Sequence, residues 1–437
     1  MDTNSSAKLL DLIQRNRRGE KRGMYSICSG HPAVIDAGLR QTLGDDSLAL
    51  IESTSSQVNQ FGGYTGLTPA QFAASVEQAA KRIGLPKAQV LVGGDHLGPY
   101  PWRNQPAATA LAQARELVRS CVLAGYKKIH LDASMACADD PSPLAEDVVA
   151  DRAAALCRSA EDAFAEMPGG NSPPLYIIGT EVPIPGGETQ EGEPPAVTST
   201  EQLSNTLEVF RVAFDHHKVS SAWERVVGIV VQPGVEFGEK VIFEYDRKKA
   251  EKLSASLPQT PALVYEAHST DYQPCAALTQ MVQDHFAILK VGPALTFAFR
   301  EAVFALSAIE REYLAGNRTL QLSQVRAALE AAMLRNPSHW RPYYHGSEEE
   351  QKLARSFSYS DRIRYYWPDP EVQRQLNQLI KNLADSPPPP TLISQYLPLE
   401  YQAISAGMIS SEPTAVIEHH IRLVLHGYAS ACGTLKQ

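Results

Sequence analysis

Several short clusters of ionisable residues in this 437-residue chain carry the groups needed for metal-assisted proton transfer. Asp95-His96 sets a carboxylate directly beside an imidazole, while Glu181 and His268 add a second carboxylate and a second imidazole far downstream. His96, Glu181 and His268 could together hold one divalent cation. Imidazole and carboxylate suit Zn²⁺, and three protein ligands with an open position describe a catalytic site. Mn²⁺, Ni²⁺ and Co²⁺ are the alternative ions for such donors. Asp95 could then exchange a proton with a substrate hydroxyl, or orient a histidine, with Asp132 or Glu52 as the second proton carrier. Lys290 could form a Schiff base, but a lysine among carboxylates reads better as an ion-pair or substrate partner. Gln232 is a candidate weak oxygen ligand or substrate donor, and Gln60 a candidate substrate contact.

Residues so far apart need a scaffold that returns the chain to one place many times. From Gly23 to about Leu314 short β-branched runs alternate with amphipathic, helix-compatible stretches. The runs are Met24–Cys28, Leu48–Ser53, Val90–Asp95, Lys128–Asp132, Leu175–Glu181, Val226–Gln232, Ala262–Glu266 and Ala287–Val291. Eight strand–helix units over this length predict a (β/α)8 TIM barrel. A doubly wound sheet is the alternative, but neither GxGxxG nor GxxxxGK[ST] occurs. In a barrel the active site lies at the C-terminal strand ends, and polar residues fall at seven of those ends. Two glycine- or proline-rich stretches, Gln60–Gly66 and Pro183–Pro195, read as loops over the mouth. The expected division is 1–314, a barrel with an N-terminal helix carrying Leu9, Leu10 and Ile13, and 315–437, a helical extension packed on the barrel or a partner. The pairs His216-His217 and His419-His420 read as surface histidines, because adjacent helical side chains diverge.

Composition narrows the setting. With 40 Lys and Arg against 49 Asp and Glu, the net charge of −9 argues against nucleic acid or anionic lipid as a partner. Apolar stretches such as Val226–Val231 are far below the roughly 20 residues that span a bilayer. Met1–Gly23 is polar, so no secretory leader is expected there. Six scattered cysteines without a CxxC suit a reducing compartment, so a cytoplasmic protein is expected.

The motifs Gly93-Gly94-Asp95-His96-Leu97-Gly98-Pro99, Leu131-Asp132-Ala133-Ser134, Ile178-Gly179-Thr180-Glu181, Gln232-Pro233-Gly234, Glu266-Ala267-His268-Ser269-Thr270-Asp271 and Lys290-Val291-Gly292-Pro293 resemble the Z subunit of D-tagatose-1,6-bisphosphate aldolase. The resemblance extends through Ser360–Pro368. It implies kinship with class II, metal-dependent ketose-bisphosphate aldolases and with ketohexose 4-epimerases, hence again a (β/α)8 barrel. By that resemblance Asp95 is the proton-transfer acid, and His96 and His268 are zinc ligands. The aldolase histidine after strand six has no counterpart, so Glu181 or Gln232 would complete the set. The aldolase glycine-rich phosphate loop is replaced by Ser269–Tyr272, where Asp271, a substrate-contact candidate, would repel a phosphate. The implied functions are an auxiliary or active aldolase subunit in ketohexose metabolism, or a ketose 4-epimerase on free sugars. A ketohexose or its phosphate, a catalytic class II aldolase subunit and further copies of the chain are the expected partners.

Overall fold

The computed structural model describes residues 5–45, 47–169, 171–180, 194–257 and 263–435. Eight parallel strands close on themselves: β1 (Met24–Cys28), β2 (Ala49–Thr54), β3 (Val90–Leu97), β4 (Lys128–Leu131), β5 (Leu175–Ile178), β6 (Val226–Val230), β7 (Val264–Ala267) and β8 (Phe286–Val291). Each pairs with its neighbours in sequence, and β1 pairs with β8, Ser26 lying opposite Lys290. The chain is therefore a (β/α)8 barrel with further helices after its last unit. A short ribbon, Glu236–Phe237 against Ile242–Phe243, sits beyond β6.

Alternation along the strands explains the interior. Side chains two apart face the same way, so β4 sends Lys128 and His130 inward, and Asp132 follows in line. The lowest interior layer is apolar: Met24, Leu50, Val264 and Ile288 cluster with Leu9 and Ile13 of the helix Ser5–Arg17, which closes that end. Leu10 of the expected stripe faces outward and is exposed. Two residues further along the same strands come Ser26, Glu52, Glu266 and Lys290, all buried. The barrel thus changes from hydrocarbon to charge one layer below its mouth.

Beyond Leu314 the helices Val325–Arg335, Glu348–Phe357, Pro370–Asp385, Pro390–Tyr396, Pro398–Ser405 and Pro413–Ala431 follow. The run Pro387–Pro390 ends by starting a helix at Pro390, where proline's fixed φ and missing N–H cost nothing. Buried anchors tie this segment to the barrel. Asp361 accepts from Arg300 Nε at 3.0 Å and from Thr296 Oγ1 at 2.7 Å, and Tyr428 Oη donates to Thr270 O at 2.7 Å. Tyr272 Oη donates to Tyr359 O at 2.6 Å. His419 and His420 do not diverge as expected: both reach the buried Glu400, at 3.1 and 3.0 Å, because their rings straddle one carboxylate. His216 and His217 likewise share Asp151 across a helix end, although they stay on the surface.

Candidate functional site

Strand β3 carries the decisive irregularity. Its register with β4 shifts between Gly94 and Leu97, and His96 adopts φ 46°. In a regular strand Asp95 and His96 would face opposite sides, but this kink lets both face the cavity. Strained backbone of this kind is held only where surrounding structure enforces it. Gly98 does part of that enforcing, since a Cβ there would lie 1.6 Å from Asp132 O. Gly93 leaves room for Glu52, whose Oε1 would stand 2.6 Å from a Cβ.

Three imidazoles meet at the mouth, with ring centroids 4.8 to 5.2 Å apart. His96 Nδ1 lies 2.7 Å from Asp132 Oδ2, and His268 Nε2 lies 3.1 Å from Glu266 Oε1. Each ring nitrogen facing a carboxylate carries its proton, which leaves His96 Nε2 and His268 Nδ1 as lone pairs facing each other at 3.2 Å. Two lone pairs so close repel unless a proton or a cation lies between them. Nitrogens held tetrahedrally at a Zn–N length of about 2.0–2.1 Å are about 3.3–3.4 Å apart, so the pair fits a metal. A carboxylate behind each imidazole is the usual support of a metal-bound histidine. Asp95, His130, Glu266 and His268 also bring one ligand atom each within 4.8 Å of one another. The His130 Nε2 atom is buried without a hydrogen-bond partner among the described residues.

Electrostatics follow from burial among mixed charges. Burial pulls the His268 pKa down to about 4, so this ring is neutral at pH 7. Burial would also lower His96, but Asp95 and Asp132 outweigh it and raise its pKa. Burial raises Asp95, yet His96, Lys290 and His268 hold it well below the usual carboxylate range. One layer lower, Lys128 Nζ bridges Glu52 Oε1 at 2.9 Å and Glu266 Oε2 at 2.8 Å. Lys290 Nζ contacts Glu52 and lies 3.2 Å from Asp95 Oδ1. Against the burial that would lower it, Asp95, Glu52 and Glu266 keep the Lys290 pKa well above normal. A permanently charged ammonium is a poor Schiff-base nucleophile.

Asp95, His96, His268, Asp271 and Lys290 line one cavity, together with Cys28, Gln57 and Tyr64. Glu52 and Asp132 stand behind it: Glu52 is locked to two lysines, and Asp132 accepts from His96 and from Ser134. Gln232 spends Oε1 on the amides of Gly234 and Val235, and Gln60 donates to Gln113. Neither glutamine lines the cavity. Glu181 and most of the Pro183–Pro195 loop lie outside the described residues.

The family description "D-tagatose-1,6-bisphosphate aldolase subunit GatZ/KbaZ-like" matches residues 9–433. The chain belongs to this family. A GatZ/KbaZ-like chain of this length is also similar to a solved structure from Sinorhizobium meliloti 1021, described as a probable tagatose 6 phosphate kinase. The two share 44% identity over 94% of this chain and 100% of that one, with a TM-score of 0.85. A fructose-bisphosphate aldolase from Campylobacter jejuni is a remote likeness, at 12% identity over 86% of this chain and 92% of that one, with a TM-score of 0.43.

Sequence reasoning gave no role to five residues that lie at or beneath the cavity, His130, Glu266, Lys128, Arg364 and Tyr365. His130, Glu266 and Lys128 had a readable signal, since they are ionisable residues inside strands whose neighbours are apolar. Arg364 and Tyr365 had none in the barrel itself. They arrive on the turn Arg362–Tyr366 of the C-terminal segment and line the cavity from above. Arg364 Nη2 donates to Tyr365 Oη at 3.0 Å. Burial would raise the Tyr365 pKa, but Arg364 and Arg362 outweigh it and lower it.

Proposed function

We propose that this Z-type chain performs metal-dependent aldol chemistry at the C3–C4 bond of a ketohexose skeleton. The observation that carries the reading is the facing pair His96 Nε2 and His268 Nδ1, each ring backed by a buried carboxylate, in the cavity that also holds Asp95. His96 and His268 would hold the cation, with His130 or Glu181 as the third ligand and Zn²⁺ as the expected ion. When bound, the cation would supply Lewis acidity to the ketone oxygen.

Asp95 is the proton carrier for the 4-hydroxyl. Once that proton leaves, the C3–C4 bond breaks, and its electrons move toward the C2 carbonyl while C4 becomes an aldehyde. Asp132 and Glu266 keep the two imidazoles in the tautomers that leave Nε2 and Nδ1 free. Lys290 balances Asp95 and sits where it can donate to a substrate oxygen. Release of the aldehyde makes the reaction an aldol cleavage. Rotation and readdition of the aldehyde inverts C4, which interconverts fructose and tagatose.

We further propose that 1–314 and 315–437 act as barrel and helical extension of a cytoplasmic homo-oligomer that engages a catalytic class II aldolase subunit. Metal analysis of the purified chain, followed by incubation with fructose, tagatose and tagatose bisphosphate, tests the reading. C4 inversion or triose release by the isolated chain supports it. A metal-free, inert chain that only stimulates a separate aldolase would leave the auxiliary role alone.

A further inference from the structure

Three phenols line the cavity among the described residues, Tyr64, Tyr100 and Tyr365, and their surroundings set the last apart. Tyr365 arrives on the turn Arg362–Tyr366 with a guanidinium on either side in sequence, Arg362 and Arg364. Arg364 Nη2 donates to Tyr365 Oη at 3.0 Å, and its other hydrogen bonds go to Ser360 O and Asp361 O. Arg362 is buried, donates to His339 O at 3.2 Å, and leaves Nε and Nη2 without partners among the described residues. The Asp361 carboxylate is taken by Arg300 and Thr296. Both arginines of the turn thus spend their hydrogens on neutral oxygens, and secluded cations so placed favour an anion beside them.

The Tyr365 oxygen is the group placed to become that anion. Burial would raise its pKa, but Arg364 and then Arg362 outweigh it and lower it. The other titratable groups around the ring stay neutral at pH 7. His339 stacks on Tyr365 at 4.5 Å, and burial with the two arginines lowers its pKa. Tyr64 packs edge-on at 4.7 Å, and burial raises its pKa. Burial and the neighbouring Tyr343 raise Tyr100 as well. Because Tyr365 Oη accepts from Arg364, its own hydrogen is left for a ligand in the cavity.

We propose that Tyr365 is the acid that protonates C3 of the substrate, and that it thereby decides between cleavage and C4 inversion. The inference rests on the aldol reading of the site and adds a second proton carrier, opposite in task to Asp95. When the C3–C4 bond breaks, its electron pair passes into an enediolate across C2 and C3, and Asp95 holds the 4-hydroxyl proton. Cleavage needs a second hydrogen on C3. The enediolate takes it from the Tyr365 hydroxyl, C2 becomes a ketone again, and the O–H electron pair stays on the phenolate beside the two guanidiniums. Asp95 then gives its proton to solvent and Tyr365 recovers one, so no further reactant is consumed. Inversion remakes the C3–C4 bond from the enediolate and never calls on this proton.

The test compares full-length wild type with Tyr365→Phe at matched metal content. Phenylalanine keeps the ring that stacks on His339 and removes the acid. Exchange of the hydroxymethyl hydrogens of dihydroxyacetone and of its phosphate with deuterated water, followed by NMR, reads proton transfer at C3 alone. Exchange and triose release should both fall by about 10²–10⁴-fold in the variant, and the ratio of C4 inversion to triose release should rise at least tenfold. An ultraviolet difference titration between the two proteins needs no turnover. It should show one phenol ionising at least one pH unit below the ordinary tyrosine value of about 10, and in an Arg364→Gln background that titration should move up by at least one unit. Wild-type exchange in a folded Tyr365→Phe overturns the inference, as does a phenol that titrates at the ordinary value or above. A wild type that inverts C4 without exchange or triose release also overturns it and leaves the aldol reading standing. A metal-loaded wild type that acts on no sugar removes the aldol reading, and the acid role falls with it.

Discussion

Asp95 and Asp132 carry the same functional group, yet their surroundings assign them different work. Asp95 lines the cavity, so Asp95→Asn should lower turnover by about 10²–10⁴-fold while metal content measured by elemental analysis stays unchanged. An unaltered rate would remove it from the mechanism. Asp132 acts through His96, and Asp132→Asn should weaken metal affinity by about 10–100-fold in a chelator competition. Metal must also displace any proton that relieves the repulsion between His96 Nε2 and His268 Nδ1. Because Asp95 and Asp132 raise the His96 pKa, affinity should fall as pH falls, by about tenfold per unit for one displaced proton. A pH-independent affinity would contradict the facing lone pairs.

At the level of elements, the question is what keeps the turn Arg362–Tyr366 over the mouth. Asp361 sits in the left-handed region at φ 45° and is tied to Arg300 and Thr296 of the helix Pro293–Leu314. Truncating one partner strands the other charge in the interior, so Asp361→Ala should cost about 3–5 kcal/mol in urea unfolding. Another anchor titrates. Burial would lower His420, but Glu301 and Glu400 outweigh it and raise its pKa to about 9. The folded value lies above the unfolded one of about 6.5, so the stabilisation is complete below pH 6.5 and disappears as pH rises through 9. The unfolding free energy should drop over that window by on the order of 2 kcal/mol, and His420→Gln should flatten the dependence.

For the molecule as a whole, the barrel stacks an apolar layer, a charged layer and a histidine layer toward one open end. The charged layer is the least forgiving of the three, because Glu52 and Glu266 both depend on Lys128. A cation bound only by the folded state adds to this arrangement by mass action. Chelation should therefore lower the melting temperature, and readdition of Zn²⁺ should restore it. An identical melting curve with and without chelator would argue against a metal at the mouth. No helix among the described residues is long and apolar enough to cross a membrane.

Strand alternation and strand-end polarity were written in the sequence, because a period of two along a short run decides locally which side chains share a face. That was enough to find the barrel and to single out Asp95, His96, His268 and Lys290, which line the cavity, while Asp271 entered only through the family resemblance. Local pattern could not say that Glu52 and Asp132 stand behind the cavity, that Gln232 and Gln60 serve their own loops, or that Asp271 answers the amides of Gly292 and Ala294. Nor could it bring Arg364 and Tyr365 to the mouth, since they reach it from outside the barrel by way of the Arg300–Asp361 anchor. Each of those outcomes depends on a partner that is remote in sequence, and only closure of the barrel and docking of the last helices put the partners within bonding distance.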